Sequence, residues 1–471
     1  MTWLLDRDRF FVGVLLCAAG CTSPSSSTEA ETETSPVSTS PSTSAPPQDT
    51  DSESDTDSDS DSESDSESDS DSDSDGDDPL AECRALPAAA TAAWVEGDEA
   101  VSTAVSTPER IAAAGARTWE LALQILRLTD PTVHPSHASS PASMALALGM
   151  SHQHWCSDRI AATVGWTEDG DALYQTLGAA RSAIESRAQP GEENVDPVVI
   201  ALQPSAWDLR GGAPEPASPI WGGRSHSVSK EGAGALEAIR EVMNCVIETE
   251  SQGLLVDFIP PGTPDTDTSN FDVTVAFLSA PWAVSMADAG LLEFVAEGVQ
   301  PYFVDAMAGA VHEASYYADA ELVAVDVPLR GGDIVVQLVM PRPGAHGSLA
   351  DFVAALDGER LALVRDQATD GYVELTMPKV TIDSTTIDYY VPLAIDCEPY
   401  TLRSVLQGAA LQLDENGIKA AAAAVDEGWH SGTGPGEPLA EITLDRPFLF
   451  FVYDRPTNHV LFSGRYGGDR E

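Results

Sequence analysis

Apolar positions along the chain follow two periods, one near 3.6 residues and one of 2, which predict helices and half-buried strands respectively. Trp119, Leu123 and Leu126 recur at helical spacing, and Thr107-Pro108-Glu109 ahead of them supplies a capping hydroxyl and a first-turn proline. Leu236, Ile239, Met243 and Val246 mark a second amphipathic helix. Ser140-Pro141-Ala142-Ser143 opens a third segment, whose run Met144–Met150 is apolar throughout and so should be buried. Alternation appears at Val273, Val275 and Phe277, which interleave with Asp272, Thr274 and Ala276 before Trp282. Asp196–Arg210 also reads as a strand, and Ala213–Ser229 as an irregular insertion. Leu322–Leu329 and Ile334–Met340 flank Arg330-Gly331-Gly332-Asp333, a hairpin signal. Phe448–Tyr453 and His459–Ser463 are strand-like runs joined by a Pro-Thr-Asn turn.

One stretch fits neither period. Asp414–Val425 reads DENGIKAAAAAV, and Asp426–Glu441 after it is rich in Gly and Pro, as an exposed loop would be. Alanine is a poor strand former and the best helix former, so the run could be a linker, a short helix or a segment that is a strand only part of the time. If it is extended, Ile418, Ala420, Ala422 and Ala424 share one face, and Lys419, Ala421, Ala423 and Val425 share the other. Small residues on the first face would enter a packed sheet without overpacking, leaving Lys419 toward water.

Composition adds an exported, acidic molecule. The 471 residues carry a formal charge of -52, which argues against a nucleic-acid partner. Arg7 and Arg9 precede the apolar run Phe10–Leu16, and Ala18-Ala19-Gly20 stands just before Cys21. Residues 1–20 thus read as an export signal, resembling a bacterial lipobox with Cys21 as the acylated residue; an ordinary signal peptide cut near Gly20 is the alternative. Residues 21–82 are Ser/Thr/Pro-rich and then alternate Ser with Asp or Glu, which predicts a disordered, solvated stalk rather than a calcium site. The folded domain is assigned to 83–471. Its four cysteines, Cys83, Cys156, Cys245 and Cys397, permit two disulfides in three pairings, left open here. Catalytic signals are thin. Ser227-Val228-Ser229-Lys230 fits a Ser-x-x-Lys pattern without its companion motifs, and His152 and His154 lack a third ligand. No enzyme activity, cofactor or metal is expected.

Taken in order, Glu415, Gly417, Ala420–Ala424, Arg446-Pro447-Phe448 and Phe462-Ser463-Gly464-Arg465 resemble the C-terminus of the serpins, the serine protease inhibitor family. Ser140-Pro141-Ala142-Ser143, Ser251-Gln252-Gly253-Leu254-Leu255, Trp282 and Pro378-Lys379 resemble further family positions, so the likeness spans most of Thr107–Arg465. The resemblance implies an α+β, serpin-like fold with a large mixed or antiparallel main sheet, further sheets, several helices and an exposed C-terminal reactive loop at about 415–441. It implies a hinge at Glu415, Gly417, Ile418, Ala420, Ala422 and Ala424, and a sheet-opening region of Ser140, Pro141, Ser143, Thr274, Trp282 and Gln407. Counting from Glu415 as in the family puts the scissile bond at Ser431-Gly432, with Trp429 and His430 as alternative specificity residues. The implied activity is trapping of a serine, or cysteine, protease by a monomer that inserts its cleaved loop as a strand. Location follows from the leader: lipid-anchored to a bacterial envelope membrane, facing periplasm or outside. Four departures stand out. Thr274 and Gln407 occupy the positions of a buried Asn–His pair, where they could hydrogen-bond each other; Ile418 replaces a Thr or Ser; Asp426 falls in the inward register; and Thr381–Leu411 is short, implying a reduced helix. A non-inhibitory binding or structural module on a surface lipoprotein is the alternative function.

Overall fold

The structure is a computed structural model that describes residues 80–86, 93–95, 103–154, 156–168, 170–192, 195–211, 218–383, 385–393, 395, 404–418 and 437–468. Helix α1 (Ala81–Arg84) and strand β1 (Ala93–Val95) precede α2 (Pro108–Leu128), where Thr107 Oγ1 accepts the Arg110 amide at 3.4 Å. Strand β2 (His137–Ser139) leads into α3 (Pro141–His154), whose start is fixed by Ser140 Oγ accepting the Ser143 amide. Next come α4 (Ser157–Val164), α5 (Gly170–Glu185), β3 (Val199–Asp208), β4 (Arg224–Ser227), α6 (Ala235–Glu250) and β5 (Asn270–Pro281). A meander of β6 (Ala287–Phe294), β7 (Tyr302–Ala318), β8 (Leu322–Pro328) and β9 (Ile334–Pro341) follows. Two side-chain-capped helices, α7 (Leu349–Ala355) and α8 (Gly358–Asp366), return the chain to β10 (Thr369–Pro378) and β11 (Val380–Ile382). The last elements are β12 (Ile387–Asp388), α9 (Tyr390–Leu393), β13 (Leu406–Gln407), β14 (Leu411–Asp414), β15 (Gly417–Ile418), β16 (Ala440–Thr443), β17 (Phe448–Asp454) and β18 (His459–Tyr466).

Seven strands form one sheet in the order β1-β4-β3-β5-β15-β14-β11, mixed because β3 and β4 run parallel. A second sheet runs β16-β10-β7-β8-β9-β17-β18-β2, with β6 added to the free end of β7. Helix α3 lies between the sheets and joins Met144, Leu148, Leu278, Ala280 and Phe462 in the main core. This explains its uniformly apolar sequence. Helix α6 covers the opposite face of the seven-stranded sheet, where Ile239, Met243, Val246 and Ile247 pack with Trp207, Val273 and Val275. A disulfide between Cys83 and Cys245 ties α1 to α6, which selects among the three pairings for these two cysteines. Among the described residues, no helix is long and apolar enough to cross a membrane.

Two expectations need correction. The end of the supposed irregular insertion, Arg224–Ser227, is strand β4. Its sequence has little β propensity, and it is held by the ladder to β3 and by His226 stacking on Trp207 with ring centres 4.0 Å apart. Thr274 and Gln407 do not bond each other. Gln407 Nε2 donates to the Gly408 carbonyl at 3.2 Å, and the backbone of Gln407 is drawn into a two-residue ladder with Ile387. Thr274 Oγ1 is buried without a protein partner. Between Thr381 and Leu411, α9 is the one helix among the described residues.

Candidate functional site

Strands β5 and β14 are neighbours only at one end. There β15, two residues long, sits between them: Gly417 pairs with Pro281 and Asp414, and Ile418 with Ala280 and Leu413. Beyond Ile418 the strands part. Among the described residues, no strand pairs with that edge of β5 from Asn270 to Ser279, while its other edge pairs fully with β3. The separation is a cleft of about 420 Å³ that passes through the sheet. Its walls are Asn270–Leu278 of β5 and Ser404–Gln412 on the far side. Ser140, Ser143, Met144 and Leu148 line it from the α3 side, and Ile247, Ser251, Leu254 and Leu255 from the α6 side. Thr274 and Asn270 are among its lining residues, and Thr274 Oγ1 and Asn270 Oδ1 have no hydrogen-bond partner among the described residues.

The mouth of the cleft is built tightly. Glu415 and Asn416 are the two-residue loop of the β14–β15 hairpin, and the Asn416 amide donates to Asp414 Oδ1 at 2.8 Å. Gly417 has φ +134, and a Cβ there would meet the Ala280 carbonyl oxygen at 2.2 Å. Only glycine serves at this point of close approach. Ile418 is 6% exposed and fills the top of the cleft. The indole Nε1 of buried Trp282 donates to the Asp414 carbonyl at 2.7 Å, fixing the end of β5 to the end of β14. Lys379 Nζ lies 2.9 Å from Glu415 and 3.4 Å from Asp288. Its hydrogen bond holds the Glu415 carboxyl below the usual carboxylate range, and Glu415 in turn raises Lys379.

This open main sheet, crossed on one face by α6 and backed by α3, has a known counterpart. Human thyroxine-binding globulin in complex with thyroxine superposes with a TM-score of 0.62 at 18% identity, covering 77% of this chain and all of that one. The fold is the serpin fold. The family model described as Serpin (serine protease inhibitor) matches residues 394–467, and curated relatives support the same family. An uncharacterized serpin-like protein of Pyrobaculum aerophilum is 26% identical over 239 residues, which is 46% of this chain and 61% of the relative. Mouse macrophage plasminogen activator inhibitor 2 is 22% identical over 261 residues, 49% of this chain and 60% of the relative. The chain thus matches about three fifths of the length of these curated serpins.

The serpin fold brings Glu415, Gly417, Ile418 and Trp282 together at the mouth, and Ser140, Ser143, Thr274 and Gln407 along the cleft, with Pro141 as the first residue of α3. Ala420, Ala422, Ala424, Trp429, His430, Ser431, Gly432, Cys397 and Cys21 lie outside the described residues, as do 1–79. Sequence reasoning did not foresee Lys379 as the partner of Glu415. The Pro378-Lys379 pair was the available signal, but only the register of β11 and β14, with Val380 opposite Leu413, shows what its ammonium meets. Asn270 was also missed. It is the first residue of β5 and carries no motif.

Proposed function

We propose that this chain is an inhibitor of serine-type endopeptidases that traps its target by inserting the cleaved loop into the cleft between β5 and β14. One observation carries the reading: a half-unpaired strand edge, capped by the first two residues of the Ala-rich hinge already in ladder register. Ile418 pairs antiparallel with Ala280. Continuing that ladder one residue at a time sets Ala420 opposite Leu278, Ala422 opposite Ala276 and Ala424 opposite Thr274. These β5 positions share the face of Ala280, toward α3, so alanines fit where larger side chains would overpack. The alternate face corrects a simple expectation. Lys419 would stand opposite Ser279 near the mouth, but Ala423 and Val425 would stand opposite Val275 and Val273, beneath α6 rather than in water. Insertion gives the exposed backbone a ladder on each side and fills the cleft.

A second reading, a non-inhibitory binding module, is supported by two departures. Ile418 already occupies the head of the cleft. Asp426, in the same register, would meet Asp272. Incubation of the full chain with a panel of serine proteases separates the two. Inhibition gives a covalent complex stable on a denaturing gel, with mass spectrometry of the released peptide locating the scissile bond among Trp429, His430 and Ser431. Cleavage by every protease with no complex supports the second reading. The leader supports a Cys21 lipid anchor with the acidic segment as spacer, checked by membrane fractionation of Cys21→Ser.

A further inference from the structure

The ribbon of β6 and the start of β7 is apolar on both faces, and only one face is packed. Leu292, Phe294 and Val304 point inward. On the other face Leu291 and Phe303 are each 65% exposed, and Val295 beside them 46%. The register makes this face a checkerboard, Leu291 opposite Asp305 and Glu293 opposite Phe303, so the two apolar side chains are diagonal neighbours ringed by carboxylates. Asp288 lies on the same strand. The ribbon also borders the mouth of the cleft: the Lys379 amide donates to the Asp305 carbonyl, and its ammonium bridges Asp288 and Glu415.

We infer that this face is a docking surface for the target protease, and that it fits a protease carrying a basic surface loop with an aliphatic or aromatic tip near its active-site cleft. The inference rests on the proposed inhibitory function. Charge decides the occupant. A second copy of the chain would set Glu293 and Asp305 against the same carboxylates, and the chain's own Ser-Asp segment is repelled by them. A cationic partner is attracted from a distance, and Leu291 and Phe303 give it an apolar anchor on arrival. Position supplies the role, because Asp288 of this ribbon shares the Lys379 ammonium with Glu415, at the base of the loop that a protease would engage.

The test uses the full chain and a trapped protease available in cationic and anionic isoforms, comparing wild type with E293K/D305K and L291S/F303S. The readouts are the second-order association rate at low and high ionic strength, and the ratio of covalent complex to cleaved product. Charge reversal should slow association with the cationic isoform about tenfold at low salt, with the effect fading at high salt and absent for the anionic isoform. L291S/F303S should slow association at both salts. The complex-to-product ratio should not change, because neither pair touches the cleft. Unchanged association rates for both variants overturn the docking surface while leaving inhibition intact, as does an equal slowing with both isoforms. If wild type traps no protease, the inhibitory reading fails, and the rate of loop cleavage by the two isoforms then decides the surface by the same comparison.

Discussion

Asp426 should limit how far the loop inserts. The ladder that pairs Ile418 with Ala280 sets residue 426 opposite Asp272, on the face toward α3, where Asp272 Oδ2 already accepts the Ser151 hydroxyl at 2.8 Å. Directly opposed strand residues hold their Cβ atoms about 5 Å apart. Two carboxylates at that spacing repel by about 3 kcal/mol at an effective dielectric near 20, before any desolvation cost. If all of it were felt in the rate-limiting step, insertion would be slowed roughly a hundredfold. On the proposed inhibitory reading, trapping is a race between insertion and hydrolysis of the acyl-enzyme, so Asp426→Asn should raise the fraction of covalent complex and the heat stability gained on nicking. The double-mutant cycle assigns the cause. Asp272→Asn should give much of the same gain, and Asp272→Asn/Asp426→Asn should fall well short of additive. The assay is the ratio of complex to cleaved product on a denaturing gel at fixed protease. Equal ratios for wild type and Asp426→Asn at neutral pH, or fully additive effects, would refute the register.

Other outcomes follow from the same geometry. Ala424→Arg puts a guanidinium that does not readily neutralise opposite Thr274, at a cost of several kcal/mol, and should convert an inhibitor into a substrate without slowing cleavage; an unchanged complex fraction counts against it. Gly417→Ala forces a Cβ onto the Ala280 carbonyl at positive φ, costing about 1–3 kcal/mol, and should deprotect the Ile418 amide in hydrogen exchange. Removing the Cys83–Cys245 disulfide, Cys83→Ala with Cys245→Ala, should cost about 2–5 kcal/mol in chemical denaturation and loosen α6 over the cleft. His226 is buried and held neutral by desolvation, down to about 3, with Arg224 adding to the effect. Its depressed value means stability present above pH 6.5 and lost progressively as pH falls toward 3. His226→Phe, which keeps a ring on Trp207, should therefore show a flatter melting temperature against pH than wild type over that window.

How much of this was legible in the chain depended on whether a residue's partner was local. Helices α2, α3 and α6 were readable because caps and periodicity lie within one element, as Thr107 with Arg110 and Ser140 with Ser143 illustrate. The hairpin of β8 and β9 was readable because its turn is contiguous. Strand β4 was not, since Arg224–Ser227 becomes a strand through its ladders to β1 and β3 and the ring of Trp207, which come from elsewhere in the chain. The same division runs through the site. Gly417 announces itself, because one backbone position demands glycine, but the reason is the carbonyl of Ala280, some hundred and forty residues away in the chain. Thr274 and Gln407 look like a bonding pair by type, yet Gln407 turns to its own neighbour and Thr274 is left facing the cleft. That failure carries physical content. A bond between Thr274 and Gln407 would tie the two walls of the cleft together, and without it that restraint on their parting is missing. Thr274→Val, which leaves no hydroxyl unpaired, should stabilise the uncleaved chain by about 1–3 kcal/mol in chemical denaturation, and an unchanged midpoint would refute the idea that this hydroxyl goes unsatisfied.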